Sequence, residues 1–262
     1  MSVKLKIAAI QIYYTDDLKP YYRKINDIIT GLDLEEIDIL CFPESCVYGF
    51  DYDTISNLSD EEIEEQIRFF KKMAEENNVN VIAGLIEKNG LDNFDSALVF
   101  KDDGEHIHTY RKVHLWDKEK DFFTPGSSIG LFDIKGWKIG LGLCADLGFP
   151  EFSRSAALKG AELLIFPSAW REPYDSLWKQ MITARAAENQ SYVVGINALG
   201  SKNKYCGKTV AMDPKGETLG DLEKKEDILI IEIDKQKVLE RRKEIDWLSM
   251  VKPEVYQKGQ DD

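Results

Sequence analysis

At intervals along the 262-residue chain, apolar residues either alternate with polar ones or run unbroken for a few positions between turn residues. Both patterns predict strands, the alternating kind half-buried and the unbroken kind covered on both faces. Strands are expected on this basis at 6–13, 37–42, 79–86, 97–101, 105–110, 128–134, 137–143, 162–166, 192–198, 208–213 and 227–233. Helical spacing of apolar positions falls between some of them, at 20–32, 60–77, 150–159 and 175–190. Ser59 and Glu62 form an S-x-x-E capping box that marks the start of the second helix. The short turns at 102–105, 135–136 and 213–216 separate alternating runs, and each predicts a hairpin. Strands alternating with helices, with hairpins inserted, imply an α/β protein with mixed sheets. No Pro/Gly/Ser-rich linker interrupts the pattern, so one domain is expected over residues 1–262.

One internal echo points toward a site. IDILCFPES (37–45) and AELLIFPSA (161–169) each run from an acidic residue through a buried strand to Phe-Pro and a polar residue. KIGLGLCAD (138–146) is a third apolar strand, ending in a cysteine. Three buried strands thus end near Glu44, Cys144 and Ser168. In open α/β sheets ligand sites gather at the carboxyl ends of strands, so these ends are expected to meet.

Composition narrows the classes. The chain is 43% hydrophobic and 31% charged, a globular balance. Its net charge of −13, without a basic block, argues against nucleic acid or an anionic membrane as a partner, because both require clustered Lys and Arg. No apolar run reaches the ~18–20 residues that span a bilayer. The opening MSVKLKIAAIQIYY alternates like a strand and lacks a small-residue cleavage site, so no signal peptide is read there. The four cysteines are scattered and suggest no disulfide framework, which places the protein in a reducing cytoplasm. No Cys-x-x-Cys or His-x-x-x-His pair proposes a zinc site.

The stretch GLGLCADLGFPEF (140–152) admits several readings. Gly140, Gly142 and Ala145 fit a loose G-x-G-x-x-A dinucleotide pattern, but Leu141, Leu143 and Cys144 crowd the turn that would hold a phosphate. A serine-hydrolase match, GSSIG at 126–130, lacks the strand–turn–helix context that a nucleophile elbow needs. Cys144 itself ends a strand and precedes a helix, where a thiolate finds stabilising backbone N–H groups. Equally, a lone cysteine often serves as a small buried hydrophobe. A nucleophile would need a base and an oxyanion donor, and none of His106, His108 and His114 is marked out for the first role.

Three motifs taken in order resemble the nitrilase (carbon–nitrogen hydrolase) superfamily: FPES with Glu44, YRKVHLW with Lys112 and CADLGFPE with Cys144. KIAAIQI, FFTPG and ARAAENQSYVVGIN (184–197) fit the same pattern, so the resemblance covers nearly the whole length. It implies a four-layer α-β-β-α sandwich with two mixed β-sheets. It also implies hydrolysis of a non-peptide C–N bond through a cysteine thioester, without cofactor or metal, in a homodimer or higher even oligomer. In that chemistry Glu44 is the general base, Cys144 the nucleophile and Lys112 the oxyanion donor, helped by the backbone N–H of Ala145. Glu119, seven residues after the lysine, orients these groups or assists proton transfer. Ala145-Asp146 stands where true nitrilases usually have Trp-Glu, which favours a small amide or carbamoyl substrate over a nitrile. Gly148 stands where many amidases have Arg, and Phe50 where many have Tyr. The loop with Ser168, Ala169, Trp170 and Arg171 is expected to face the substrate, with Trp170 as a wall and Arg171 against a carboxylate. The alternatives are a catalytically silent binding or assembly member of the same fold and a thioester acyltransferase.

Overall fold

Along the chain run β1 (Lys4–Gln11), α1 (Leu18–Thr30), β2 (Ile39–Cys41), α2 (Tyr52–Asn57), α3 (Asp60–Asn77), β3 (Asn80–Asn89), β4 (Asp92–Phe100), β5 (His106–Arg111), β6 (Gly130–Ile134), β7 (Trp137–Leu141), α4 (Pro150–Leu158), β8 (Leu163–Ser168), α5 (Asp175–Asn189), β9 (Tyr192–Asn197), β10 (Val210–Met212), β11 (Thr218–Asp221), β12 (Asp227–Asp234), α6 (Lys235–Glu244) and α7 (Pro253–Gln257). The computed structural model describes residues 3–14, 18–200 and 204–257; the ends of the expected 1–262 domain lie outside the described residues. Among the described residues two six-stranded sheets form, ordered β12-β1-β2-β3-β4-β5 and β11-β10-β9-β8-β7-β6. Both are mixed: β1, β2 and β3 are parallel, as are β7, β8 and β9, and the hairpins flanking them are antiparallel.

Side-chain alternation builds the layers. On β1, Leu5, Ile7 and Ala9 point into the space between the sheets, where they join Ile139, Leu141, Ile165 and Val194. Ala8 and Ile10 point the other way, onto Tyr21, Ile25 and Ile29 of α1 and Phe70 and Met73 of α3. Helices α4 and α5 cover the second sheet with Phe152, Ala156, Trp178 and Ile182. The result is the four-layer α-β-β-α sandwich. Each fully buried Leu or Ile contributes ~1.5–3 kcal/mol, and these positions are almost without exposure.

The capping box at Ser59 forms as expected, with Ser59 N–H donating to Glu62 at 2.8 Å. The elements α2, β11 and α7 lie outside the expected pattern, and two further departures have a clear physical reason. Strand β4 begins at Asp92, not at 97, because Asn89 and Gly90 open a tight hairpin that pairs Asn89 with Asp92, and Gly90 has φ +65°. Helix α6 carries no apolar stripe: KQKVLERRKE buries Val238 alone, so periodicity gives no sign of it.

Candidate active site

Glu44 follows β2 on a turn fixed from several sides. The Tyr14 hydroxyl donates to the Glu44 carbonyl at 2.5 Å, Cys46 N–H donates to Gly84 O, and Gly84 N–H donates to Pro43 O at 3.1 Å. Gly84 on β3 makes this approach possible: a Cβ there would stand 2.4 Å from Glu44 Cα and 2.5 Å from Pro43 O. Neither atom belongs to a flexible side chain, so Gly84→Ala must displace the Glu44 backbone. Overpacking of this kind costs about 1–3 kcal/mol. Thermal melts should show Tm lower by ~2–4 °C per kcal/mol, with a loss of turnover beside it. An unchanged Tm and rate would show the turn to be free to move.

Lys112 stands just past β5, with its backbone N–H donating to Asp95 O at 2.9 Å. Its ammonium is fully buried and lies 2.7 Å from Glu44 Oε1, 2.7 Å from Glu119 Oε2 and 3.3 Å from Asp95 Oδ2. Burial disfavours the charged ammonium, but Glu44, Glu119 and Asp95 outweigh it and raise its pKa well above the usual lysine value. The Phe50 ring faces the same nitrogen at 5.6 Å from its centroid. Glu119 sits on a single 3-10 turn, 117–121, buried despite its lysine neighbours, and its Oε2 also accepts from Trp116 N–H at 2.7 Å. Burial, and next the Glu44 charge, raise the pKa of the Glu119 carboxyl, with Lys112 opposing. Asp95, on β4, is buried in the same cluster and was not singled out by the sequence.

Cys144 opens a 3-10 turn after β7 with φ +35°, a conformation that costs a non-glycine residue ~1–3 kcal/mol. Asp146 fixes the turn: it accepts from Leu143 N–H at 2.8 Å, Tyr110 Oη–H at 2.6 Å and His114 N–H at 3.1 Å. Arg185 of α5 clamps the far end, its Nε donating to the Leu147 carbonyl at 3.0 Å. Burial, then the Glu44 charge, push the Cys144 thiol well above its ordinary range, while Lys112 and the Ala169 backbone N–H favour the thiolate. Of the four cysteines, Cys144 alone is half-exposed; Cys41, Cys46 and Cys206 are buried free thiols. His114 serves this turn as a support, bonded to Asp146 and stacked on Phe149 at 3.6 Å. His106 and His108 lie out along β5.

The ends of the two echoed strands meet directly: Ala169 N–H, just after β8, donates to Glu44 Oε2 at 2.9 Å. A 390 Å³ pocket opens above, lined by Cys144, Ala145, Glu119, Ala169, Trp170 and Arg171 together with several aromatic side chains. Phe50 and Gly148 also line it, and a side chain at Gly148 would meet open space. Trp170 walls the pocket while its Nε1 donates to the Tyr174 carbonyl at 2.8 Å. Arg171 stands 42% exposed at the rim, 3.7 Å from Asp117. Ser168 departs from the expected set: as the last residue of β8 it is fully buried, and its hydroxyl turns back to the Phe166 carbonyl at 3.1 Å, away from the pocket.

Glu44, Asp95 and Glu119 present carboxylate oxygens within 4.8 Å of one another, a donor set that suits a hard cation. The Lys112 ammonium already stands among all three, so a fixed side-chain cation takes the place that a metal would need.

The carbon-nitrogen hydrolase family matches residues 6–243. The chain belongs to that family. It is 32% identical over 224 residues to the 2-oxoglutaramate amidase of Bacillus subtilis, covering 84% of this chain and 86% of that protein. It is also 32% identical over 231 residues to a nitrilase of Pyrococcus abyssi, covering 84% and 86% respectively. A carbon-nitrogen hydrolase structure from Helicobacter pylori superposes with a TM-score of 0.88 at 27% identity, over 98% of each chain. An amidase and a nitrilase are thus among the relatives of this carbon–nitrogen hydrolase.

Proposed function

We propose that the chain, as one carbon–nitrogen hydrolase domain over 1–262, hydrolyses a small amide or carbamoyl compound through a thioester on Cys144. The observation that carries this reading is the half-exposed Cys144 at the pocket floor beside a buried Lys112–Glu44 pair 2.7 Å apart. Glu44 takes the thiol proton as Cys144 Sγ bonds to the amide carbon. The oxyanion that forms is met by the Lys112 ammonium and the Ala145 backbone N–H. The tetrahedral adduct collapses, Glu44 returns its proton to the departing amine, and the C–N bond breaks. Water then gives a proton to Glu44 and adds to the thioester, and collapse releases the acid while the proton returns to Cys144. Glu119 shares the Lys112 ammonium and holds it toward the oxyanion. A raised thiol pKa suits this sequence, because it keeps the proton on Cys144 until Glu44 removes it during attack.

The pocket lining favours substrates whose acyl group is apolar or aromatic near the reacting carbon, with Arg171 placed for a distal carboxylate. Ala145-Asp146 after the nucleophile favours amides over nitriles. Ammonia release should be measured for glutaramate, its neutral chain-length match pentanamide, a carbamoyl amino acid and pentanenitrile. Amide or carbamoyl turnover should exceed nitrile turnover, and the reverse order would overturn the substrate class. Arg171→Ala should raise KM for glutaramate by ~10-fold, the lower end for a charge-assisted contact because the guanidinium is solvated and faces Asp117. Pentanamide should be little affected; an equal loss on both would make Arg171 structural.

The same reading places the enzyme in the cytoplasm, in keeping with its free cysteines, as a homodimer or higher even oligomer. No described helix is long and apolar enough to cross a membrane.

A further inference from the structure

Asp95 is 1% exposed, and neither of its side-chain oxygens meets a hydrogen-bond donor among the described residues. Its ion-pair contact is Lys112 at 3.3 Å, and that ammonium is already shared with Glu44 and Glu119 at 2.7 Å each. Three ionised carboxylates around one ammonium would leave a net charge of −2 in a buried space. Burial makes such a charge expensive, and a single bound proton relieves it. The partners decide where that proton resides. Glu44 accepts from Lys112 and from Ala169 N–H; Glu119 accepts from Lys112 and from Trp116 N–H. Both are held as acceptors. Among the described residues Asp95 has no N–H donor of its own, and its carboxylate lies within 4.8 Å of the Glu44 carboxylate, acceptor against acceptor unless one of the two carries a proton.

We propose that Asp95 is a positioning residue, resident in the site as a neutral carboxylic acid whose O–H donates to the Glu44 carboxylate. It thereby fixes the orientation of the base toward Cys144 and keeps the Glu44–Asp95–Glu119–Lys112 cluster at a single net negative charge. The inference rests on the function proposed above. Burial, followed by the Glu44 charge, holds the Asp95 carboxyl well above the usual carboxylate range, in agreement with the geometry.

The test compares Asp95→Asn with Asp95→Ala. The amide NH₂ of asparagine supplies a donor in the same place without a proton to lose, whereas alanine leaves Glu44 unsupported. With pentanamide and glutaramate as probes, Asp95→Ala should lower kcat by ~10–100-fold with KM little changed, since misplacing a catalytic group by about 1 Å costs on that scale. Asp95→Asn should recover most of the loss. A second readout needs no turnover and would survive failure of the catalytic reading. Folded Asp95 keeps a proton that the unfolded chain releases above pH ~4. The parent therefore loses stability as pH rises from 5 to 8, and Asp95→Asn does not share that loss. Glu44, Glu119 and Lys112 face Asp95 in both proteins, so the difference isolates it. Tm of Asp95→Asn minus Tm of the parent should grow across this range. A flat difference, or an Asp95→Asn variant as slow as Asp95→Ala while Cys144 remains essential, would overturn the proposal.

Discussion

Replacement of Cys144 by alanine should lower amide turnover by ~10⁴-fold or more, the scale set by deleting the nucleophile of a covalent hydrolase. The change removes one sulfur atom from a half-exposed position, and the turn around it is held by Asp146, Tyr110 and Arg185. Far-UV circular dichroism and Tm should therefore stay close to those of the parent. Release of ammonia from glutaramate or pentanamide is the measurement. Near-parental turnover in a folded Cys144→Ala protein would exclude the proposed chemistry.

Lys112→Ala should cost on the order of 10²–10³ in kcat, the usual loss on removing one oxyanion donor. The same substitution should destabilise the fold. It leaves Glu44, Glu119 and Asp95 buried without their shared cation, and breaking a buried pair costs ~3–5 kcal/mol. The sign with pH follows from proton binding. Without the ammonium, the folded carboxyls hold protons at pH values where the unfolded chain, with carboxylate pKa near 4, has released them. Stability of the variant should thus fall as pH rises, and its Tm deficit against the parent should be smaller at pH 5 than at pH 8. A folded Lys112→Ala with parental kcat, or a Tm deficit independent of pH, would contradict the role given to this ammonium.

Much of the fold was legible because it follows from short-range rules. Unbroken apolar runs such as LCF at 40–42 and LLIF at 163–166 belong to strands covered on both sides, and Ser59–Glu62 starts α3 as the capping box requires. Helix α6 was not legible, because it packs through one valine and has no stripe to read. The N-terminal half of β4 was missed although Asn89-Gly90 carries the turn signal, since polar Asp92, Asn93 and Asp95 break the alternation there. That same break hid Asp95. An aspartate inside a strand normally marks its solvated face, and only the approach of Glu44, just past β2, and Lys112, just past β5, makes this one a core acid. Glu119 was open to the opposite error, because Lys118 and Lys120 beside it suggest solvent, yet the 3-10 turn points it inward onto Lys112. Ser168 shows the limit of the sequence echo. It aligns with Glu44 in the repeated pattern, but it is Ala169, one residue later, whose N–H reaches the Glu44 carboxylate.

The covalent step is the centre of the account, and it can be observed directly. The enzyme should be mixed with a slow amide, quenched in acid within the first turnovers, digested and measured by mass spectrometry. The peptide containing Cys144 should carry the acyl group of the substrate, and the adduct should be absent from Cys144→Ala. Acylation of Cys41, Cys46 or Cys206 instead, or turnover with no adduct on any cysteine, would contradict the mechanism.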